Sequence, residues 1–379
     1  MTHRWFAWAT ITAAGAMVGV SACTHAPRSR QASQVVVSEV ARFDQDQCTG
    51  VAVSRKGRVF ASFPLWHDGH RIHVAEVFED GTYAPYPNES WNSWRESGPV
   101  AGEQFVCVQS VYTDDTDRLW VLDPANPRMR GVVPDGAFPK LVMFDLSTNT
   151  PTRTYDLSSV APAGSYLNDV RIDTLTGHAF MTDSSLGGLV VLDLNSGTGR
   201  RVLAEHPATK AEPDVIPIVG GRELRFAGGP NQGQVPQVHS DGIAFDPVRR
   251  FVYWQALTSR TLYRLPAEAL IDASLADAAL AASIENLGPT VMTDGMEVDA
   301  RGNVYFSAIE ESAVVVRTPD GKLHTLARAE LLSWPDSFAL GPGGSLYVTT
   351  AQIHKTSWFT PDGSMPTTPY RIFRMMQWP

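Results

Sequence analysis

The chain has 379 residues, with 40 acidic side chains against 31 basic ones and a formal charge of −9. That balance, with no long basic run, argues against a nucleic-acid partner. Apolar residues make up 43% of the sequence, too many for general disorder, and 30 glycines with 26 prolines spread along it suit many short strands joined by turns.

Arg4 precedes an apolar, Ala-rich stretch from Trp5 to Val20, after which Val20-Ser21-Ala22 leads into Cys23. A charged start, a hydrophobic segment and small residues before the cut describe a secretory signal peptide over 1–22. Cys23 directly after Val-Ser-Ala resembles the lipobox of bacterial lipoproteins, in which that cysteine is lipidated. The expectation is an exported, envelope-anchored protein facing the periplasm or the exterior, with 23–34 as anchor and flexible tether. An ordinary signal peptide or a lone membrane anchor is the alternative, although the segment is short for a transmembrane helix. In an oxidising compartment Cys48 and Cys107 are expected either to form a disulfide or to sit as two buried thiols.

From residue 35 onward one unit recurs six times. Its first strand begins at Thr49-Gly50-Val51, Gln109-Ser110-Val111, Asn168-Asp169-Val170, Asp241-Gly242-Ile243, Asp294-Gly295-Met296 and Asp336-Ser337-Phe338. A second strand follows nine or ten residues later in each unit (RVFASF, RLWVLD, HAFMTD, FVYWQA, NVYFSA, SLYVTT), after a turn such as SRKG, DARG or GPGG. Third strands read IHVAEVF, KLVMFDL, GLVVLDL, TLYRLPA, AVVVRTP and RIFRMM. Six such units predict an all-β, six-bladed propeller over 35–379 with four-stranded antiparallel blades. Outer strands are visible as TYAPY (82–86) and RTYDL (153–157). Blade six runs out of chain after its third strand, and VVVSEVARF (35–43) is placed to complete it and close the ring. The Ala-rich run 267–283 predicts a short helical insertion in blade four.

Antiparallel pairing puts the start of each first strand and the end of each second strand on one face. That face collects Asn168, Asp169, Asp241, Asp294 and Asp336 from strand starts. It also collects Asp123, Asp183, Glu310, Gln352 and His354 from second-strand ends and the loops after them. The long segments 86–104, 124–140 and 205–237 map there too, bringing Trp91 and Trp94 as an aromatic wall with Trp91 the candidate for ligand contact. The expected site is an acidic axial funnel, whose converging carboxylates raise one another's pKa unless a cation sits between them. Turn formation by Asp-Gly is the structural reading of the same residues.

The segments FASFPLW (60–66), YPNESWN (86–92), FVCVQSVYTDDTDRLWVLD (105–123), YLNDVRID (166–173), SDGIAFDP (240–247), TDGMEVDARGNVYFS (293–307) and WPDSFALGPGGSLYVTTAQIH (334–354) together resemble the yellow/major royal jelly protein family. The resemblance covers nearly all of the mature chain. It implies a six-bladed propeller; members include secreted binders of small amines and proteins linked to dopachrome conversion, and activity varies among them. A more distant likeness to gluconolactonase/regucalcin-like propellers implies an axial divalent metal held by a Glu with Asn, Asn and Asp. Asn168, Asp241 and Asp294 stand at comparable positions as candidate ligands for Ca²⁺, but Thr49 occupies the blade-one position and no Glu partner is found.

Three functions follow. One is an envelope binder of a small molecule, for instance an amine, in the acidic mouth. A second is a metal-assisted lactonase or esterase with Asp241 or Asp294 as ligand or base. A third is a dopachrome-type isomerase with His354 or an acidic residue moving a proton. The partners expected are a small molecule and a membrane reached through the lipid anchor, with the protein itself a monomer.

Overall fold

A computed structural model of the chain describes residues 37–96, 98–100, 102–362 and 368–378. The predicted signal peptide, Cys23 and the tether lie outside those residues. Within them the chain forms six four-stranded antiparallel sheets, and in each the strand order is the order of the repeat. The first strands are Gly50–Val53, Ser110–Thr113, Leu167–Asp173, Ser240–Asp246, Thr293–Val298 and Pro335–Gly341. Each touches the first strand of the next blade, the sixth meeting the first, so the six surround an axis.

The alternation of each strand sends successive side chains to the two neighbouring blades. Ile243 and Phe245 enter the cluster shared with blade three, whereas Ala244 between them enters the cluster shared with blade five. Six apolar clusters of this kind fill the six interfaces between blades. Trp254 is fully buried in one of them and its Nε1–H donates to Ala208 O at 2.8 Å. Truncating an aromatic so placed costs about 3–5 kcal/mol.

Blade six closes as expected: Ser38–Phe43 pairs antiparallel with Tyr370–Met376 as its outermost strand. The insertion in blade four also forms, but as two five-residue helices, Ala267–Ile271 and Asp277–Ala281, lying between its third and fourth strands. The break falls at Asp272, whose Oδ1 accepts from the Ser274 N–H at 2.9 Å and from its hydroxyl at 2.6 Å. Such local side-chain bonds compete with helix propagation.

Candidate functional site

In blades three to six the pairing of first and second strands slips at the strand start, across Leu167/Val170, Ser240/Gly242, Thr293/Met296 and Pro335/Phe338. A bulge leaves its extra residue off the ladder and re-aims the side chain. The residues so released are Asn168, Asp241, Asp294 and Asp336. Blades one and two pair without a slip and carry Thr49 and Gln109 instead. The glycine after two of the aspartates is there for closeness of approach: a Cβ on Gly242 would lie 2.4 Å from Asp294 O, and one on Gly295 would lie 2.5 Å from Asp336 O. Second-strand hydroxyls clip three of the axial backbones to the blade before them. Thr182 Oγ1 donates to Asp241 O at 2.6 Å, Ser62 Oγ to Gln109 O at 3.1 Å and Thr349 Oγ1 to Thr49 O at 2.6 Å.

Gln109, Asn168, Asp241, Asp294 and Asp336 line the floor of a cavity of about 120 Å³ on the loop face. Its walls are Trp66, Tyr166, Phe226, Trp334, Trp358 and Phe359, with Leu224, Leu257 and Ile353 between them. Trp66 and Trp358 stand 5.4 Å apart between ring centroids, and Phe226 stacks on Phe359 at 5.3 Å. No lysine or arginine is among the described residues that line it.

Two hydrogen-bond chains fix the polarity of the floor. On one side Trp66 Nε1–H donates to Tyr166 Oη at 2.8 Å, Tyr166 O–H to Gln109 Oε1 at 2.8 Å, and Gln109 Nε2–H to Asn168 Oδ1 at 2.9 Å. The indole can only donate, and in this arrangement the chain runs on from Tyr166 through Gln109 to Asn168 Oδ1, leaving the Asn168 N–H₂ outside it. On the other side Trp334 Nε1–H donates to Asp294 Oδ2 at 2.6 Å. Asp241 hydrogen-bonds Asp294, which pushes its own proton affinity up and that of Asp294 down.

The carboxyls are acids held back from ionising. Burial, then the charges of Asp294, Asp169 and Asp336, push Asp241 well above the ordinary carboxylate range. Burial and the same neighbours push Asp336 well up. Burial raises Asp294 to about 6, against the opposing bonds from Trp334 and Asp241. Asp169 is also raised by burial, partly offset by Arg171. It lies off the cavity wall, one residue further along the strand. Deeper still, Arg171 of blade three crosses the axis to donate to Met296 O of blade five at 2.6 Å, and its Nε lies 3.5 Å from Glu297 Oε2. The guanidinium also sits 5.3 Å from the Tyr112 ring centroid. Tyr112 and Glu297 in turn line a second cavity of about 220 Å³ among first-strand residues such as Val51, Phe245 and Phe338.

The other residues singled out in the sequence take different places. Trp91 is not in the cavity; it packs on Phe105 and Phe144 in the core between blades one and two. Trp94 is buried among the loops beside Trp66. Asp183 accepts from the Ser185 and Leu186 N–H groups and from Arg201, and Asp123 does the same for Cys107 and Ala125, so both cap loops. Glu310 pairs with Arg260 and accepts from Ile218 N–H at 2.8 Å. Gln352 donates to Pro369 O and accepts from Lys355. His354 stacks on the far face of Trp334 at 5.7 Å and does not line the cavity, and burial lowers its pKa to about 4. Cys48 and Cys107 are free buried thiols in separate clusters, so the expected disulfide is replaced by its alternative.

The residues do not fit the axial metal shell that the likeness implies. Asn168 Oδ1 is taken by Gln109 and Asp294 Oδ2 by Trp334, while Asp241 hydrogen-bonds Asp294. Thr49, at the position of the missing Glu, turns its hydroxyl to Gln109 O. Among the described residues no three of His, Cys, Asp or Glu are arranged to hold an ion.

Fold and site together define a six-bladed propeller with an aromatic-walled axial cavity over an acidic floor. The chain belongs to the major royal jelly protein family, whose family model matches residues 106–336. It is 24% identical over 233 residues to major royal jelly protein 7 of Apis mellifera, covering 61% of this chain and 49% of that protein. It is 23% identical over 280 residues to protein yellow of Drosophila melanogaster, covering 68% of this chain and 48% of that protein. The chain thus spans about half the length of these relatives. Among solved structures it is similar to a gluconolactonase from Xanthomonas campestris, with a TM-score of 0.52 and 14% identity over 90% of this chain and 89% of that one. It is similar also to a calcium-binding regucalcin from Agrobacterium tumefaciens, with a TM-score of 0.51 and 14% identity over 90% and 96%. At such identity the likeness is one of fold.

Proposed function

We propose that the axial cavity binds a small aromatic amine. The observation that carries this is the burial of Asp241, Asp294 and Asp336 together under aromatic walls that hold no lysine or arginine. An ammonium group at the floor supplies the missing positive charge, and the indole and phenyl faces favour both a cation and a flat ring. The size agrees, since a cavity of about 150 Å³ is known to take one benzene ring. Asn168 offers its amide N–H₂ to any acceptor atom on the ligand. The lipobox-like Val20-Ser21-Ala22-Cys23 supports an exported, envelope-anchored binder that meets its ligand outside the cytoplasm.

Calorimetric titration with 2-phenylethylamine at pH 7.5, with 2-phenylethanol as the uncharged control, tests this. Saturable binding of the amine at least ten times tighter than the alcohol, lost in Asp294→Asn, is expected. Equal binding of both compounds, or of neither, would overturn the proposal.

A further inference from the structure

The cavity of about 220 Å³ lies further along the same first strands whose starts form the acidic floor, and five of the six blades line it. Its walls are apolar, with Val51, Phe245, Phe338 and Leu340 among them. Pro247 and Ala300, both exposed, stand at its rim in the turns that follow two of those strands, so it opens to solvent away from the loop face. Blade three contributes Arg171, which reaches two of the lining residues: its Nε lies 3.5 Å from Glu297 Oε2, and its guanidinium 5.3 Å from the Tyr112 ring centroid.

Glu297 and Tyr112 are the groups that make this space selective. Glu297 is 6% exposed, and its Oε1 accepts from the Val298 N–H at 2.9 Å. Its Oε2 has only the Arg171 Nε, at a distance longer than the roughly 2.7–2.9 Å of a charge-assisted hydrogen bond. Tyr112 is half-buried, and among the described residues its hydroxyl makes no hydrogen bond. The two groups share one guanidinium, and burial first, then the Glu297 charge, raises the pKa of Tyr112. A carboxylate oxygen with acceptor capacity and a phenol that keeps its proton to donate thus belong to one otherwise apolar cavity. Buried polar groups are normally satisfied, so the pair calls for a partner that can answer both.

We propose that this second cavity binds a neutral phenol or aromatic alcohol. The ligand hydroxyl donates to Glu297 Oε2 and accepts from the Tyr112 O–H, while its ring packs on Phe245 and Phe338. A cavity of about 150 Å³ is known to take benzene, so this one has room for a ring with a substituent. A charged amine is refused here. Arg171 already holds the positive charge beside Glu297, and a second cation would meet a like charge. Asp169, the other carboxyl that faces Arg171, lies off this cavity and does not change that. The two ends of the axis therefore take different ligands.

The test is calorimetric titration of the full-length protein at pH 7.5 with p-cresol and with p-xylene, which share a shape and differ in one hydroxyl. A merely apolar cavity would prefer p-xylene, because taking a hydroxyl out of water is costly unless it is hydrogen-bonded. Saturable binding of p-cresol, tighter than that of p-xylene, is expected. Tyr112→Phe and Glu297→Gln should each lower the ratio of the two affinities at least five-fold. Tighter binding of p-xylene, binding of neither compound, or an unchanged ratio in Tyr112→Phe would defeat the proposal. Displacement of p-cresol by 2-phenylethylamine would defeat it too, because the phenol would then sit in the upper cavity. Failure of the amine to bind above leaves the p-cresol result intact. If Glu297→Gln, which loosens the pair with Arg171, fails to melt like the wild type, the near-isosteric Tyr112→Phe decides the matter alone.

Discussion

Two ionisable clusters share the axis of this propeller, and they are solved in opposite ways. Beneath, Arg171 and Glu297 are both buried and pair with each other, and Arg171 is further tied to Met296 O and the Tyr112 face. Above, Asp241, Asp294 and Asp336 are equally buried, yet among the described residues each other, Trp334 and Ser337 are what answers them. A charge matched within the fold serves the fold. A set of acids left without a cation is a cost that a ligand can relieve, and that difference is why the upper ring is the candidate site.

The sharpest way to break this contrast is to unpair the lower cluster. Arg171→Leu strands Glu297 and Asp169 in the interior and should destabilise the protein by about 3–5 kcal/mol, as read by denaturant unfolding. An unchanged midpoint would show that the lower cluster does not hold the blades. Gly295→Ala comes next. Its Cβ would meet Asp336 O at 2.5 Å and the Ser337 Cα at 3.0 Å, so a loss of about 1–3 kcal/mol is expected along with weaker amine binding.

Smaller effects separate the upper ring from the lower. Asp294→Asn should weaken amine binding by at least ten-fold, about 1.4 kcal/mol, by calorimetry, and should also raise the ligand-free unfolding midpoint at neutral pH. Asp241→Asn removes one member of the crowded ring and should raise the ligand-free unfolding midpoint at pH 7.5 while weakening the amine. A lowered midpoint would mean that Asp241 is a structural acid. The pH dependence carries the same sign. Carboxyls whose folded pKa is raised contribute stability that is complete below the unfolded value of about 4 and fades as pH rises through the folded value. For Asp294 that window runs from about 4 to about 6, with Asp241 and Asp336 extending it upward. Melts of the ligand-free protein should therefore show these residues costing stability across that range, and the two Asp→Asn variants should flatten the trend.

The polar floor was legible in the sequence because it is repeated. Asn168, Asp241, Asp294 and Asp336 hold one register position in successive blades, and the fixed offset to the second strand exposed it. Gln109 holds the same position in blade two and completes the floor. The aromatic walls were not legible. Phe226, Trp358 and Phe359 come from loops of no fixed register, and only the closed ring brings them over the axis. Trp91 misled for the same reason, as its loop turns it into the core beside Phe105. Asp183 and Glu310 resembled site residues because strand ends need capping and pairing as much as ligands need charge. Trp334 and Tyr166 offered a signal, each standing two residues before a floor residue, in WPDS and YLND.

The central claim is that Asp241 and Asp336 keep their protons for want of a cation, so the most direct measurement is the proton count of amine binding. Titrating 2-phenylethylamine at pH 6.5 in two buffers of different ionisation enthalpy gives that number. Release of protons on binding, falling when Asp294 is replaced by Asn, is the predicted result. Binding with no change in bound protons would contradict it, because the ring would then have been ionised all along.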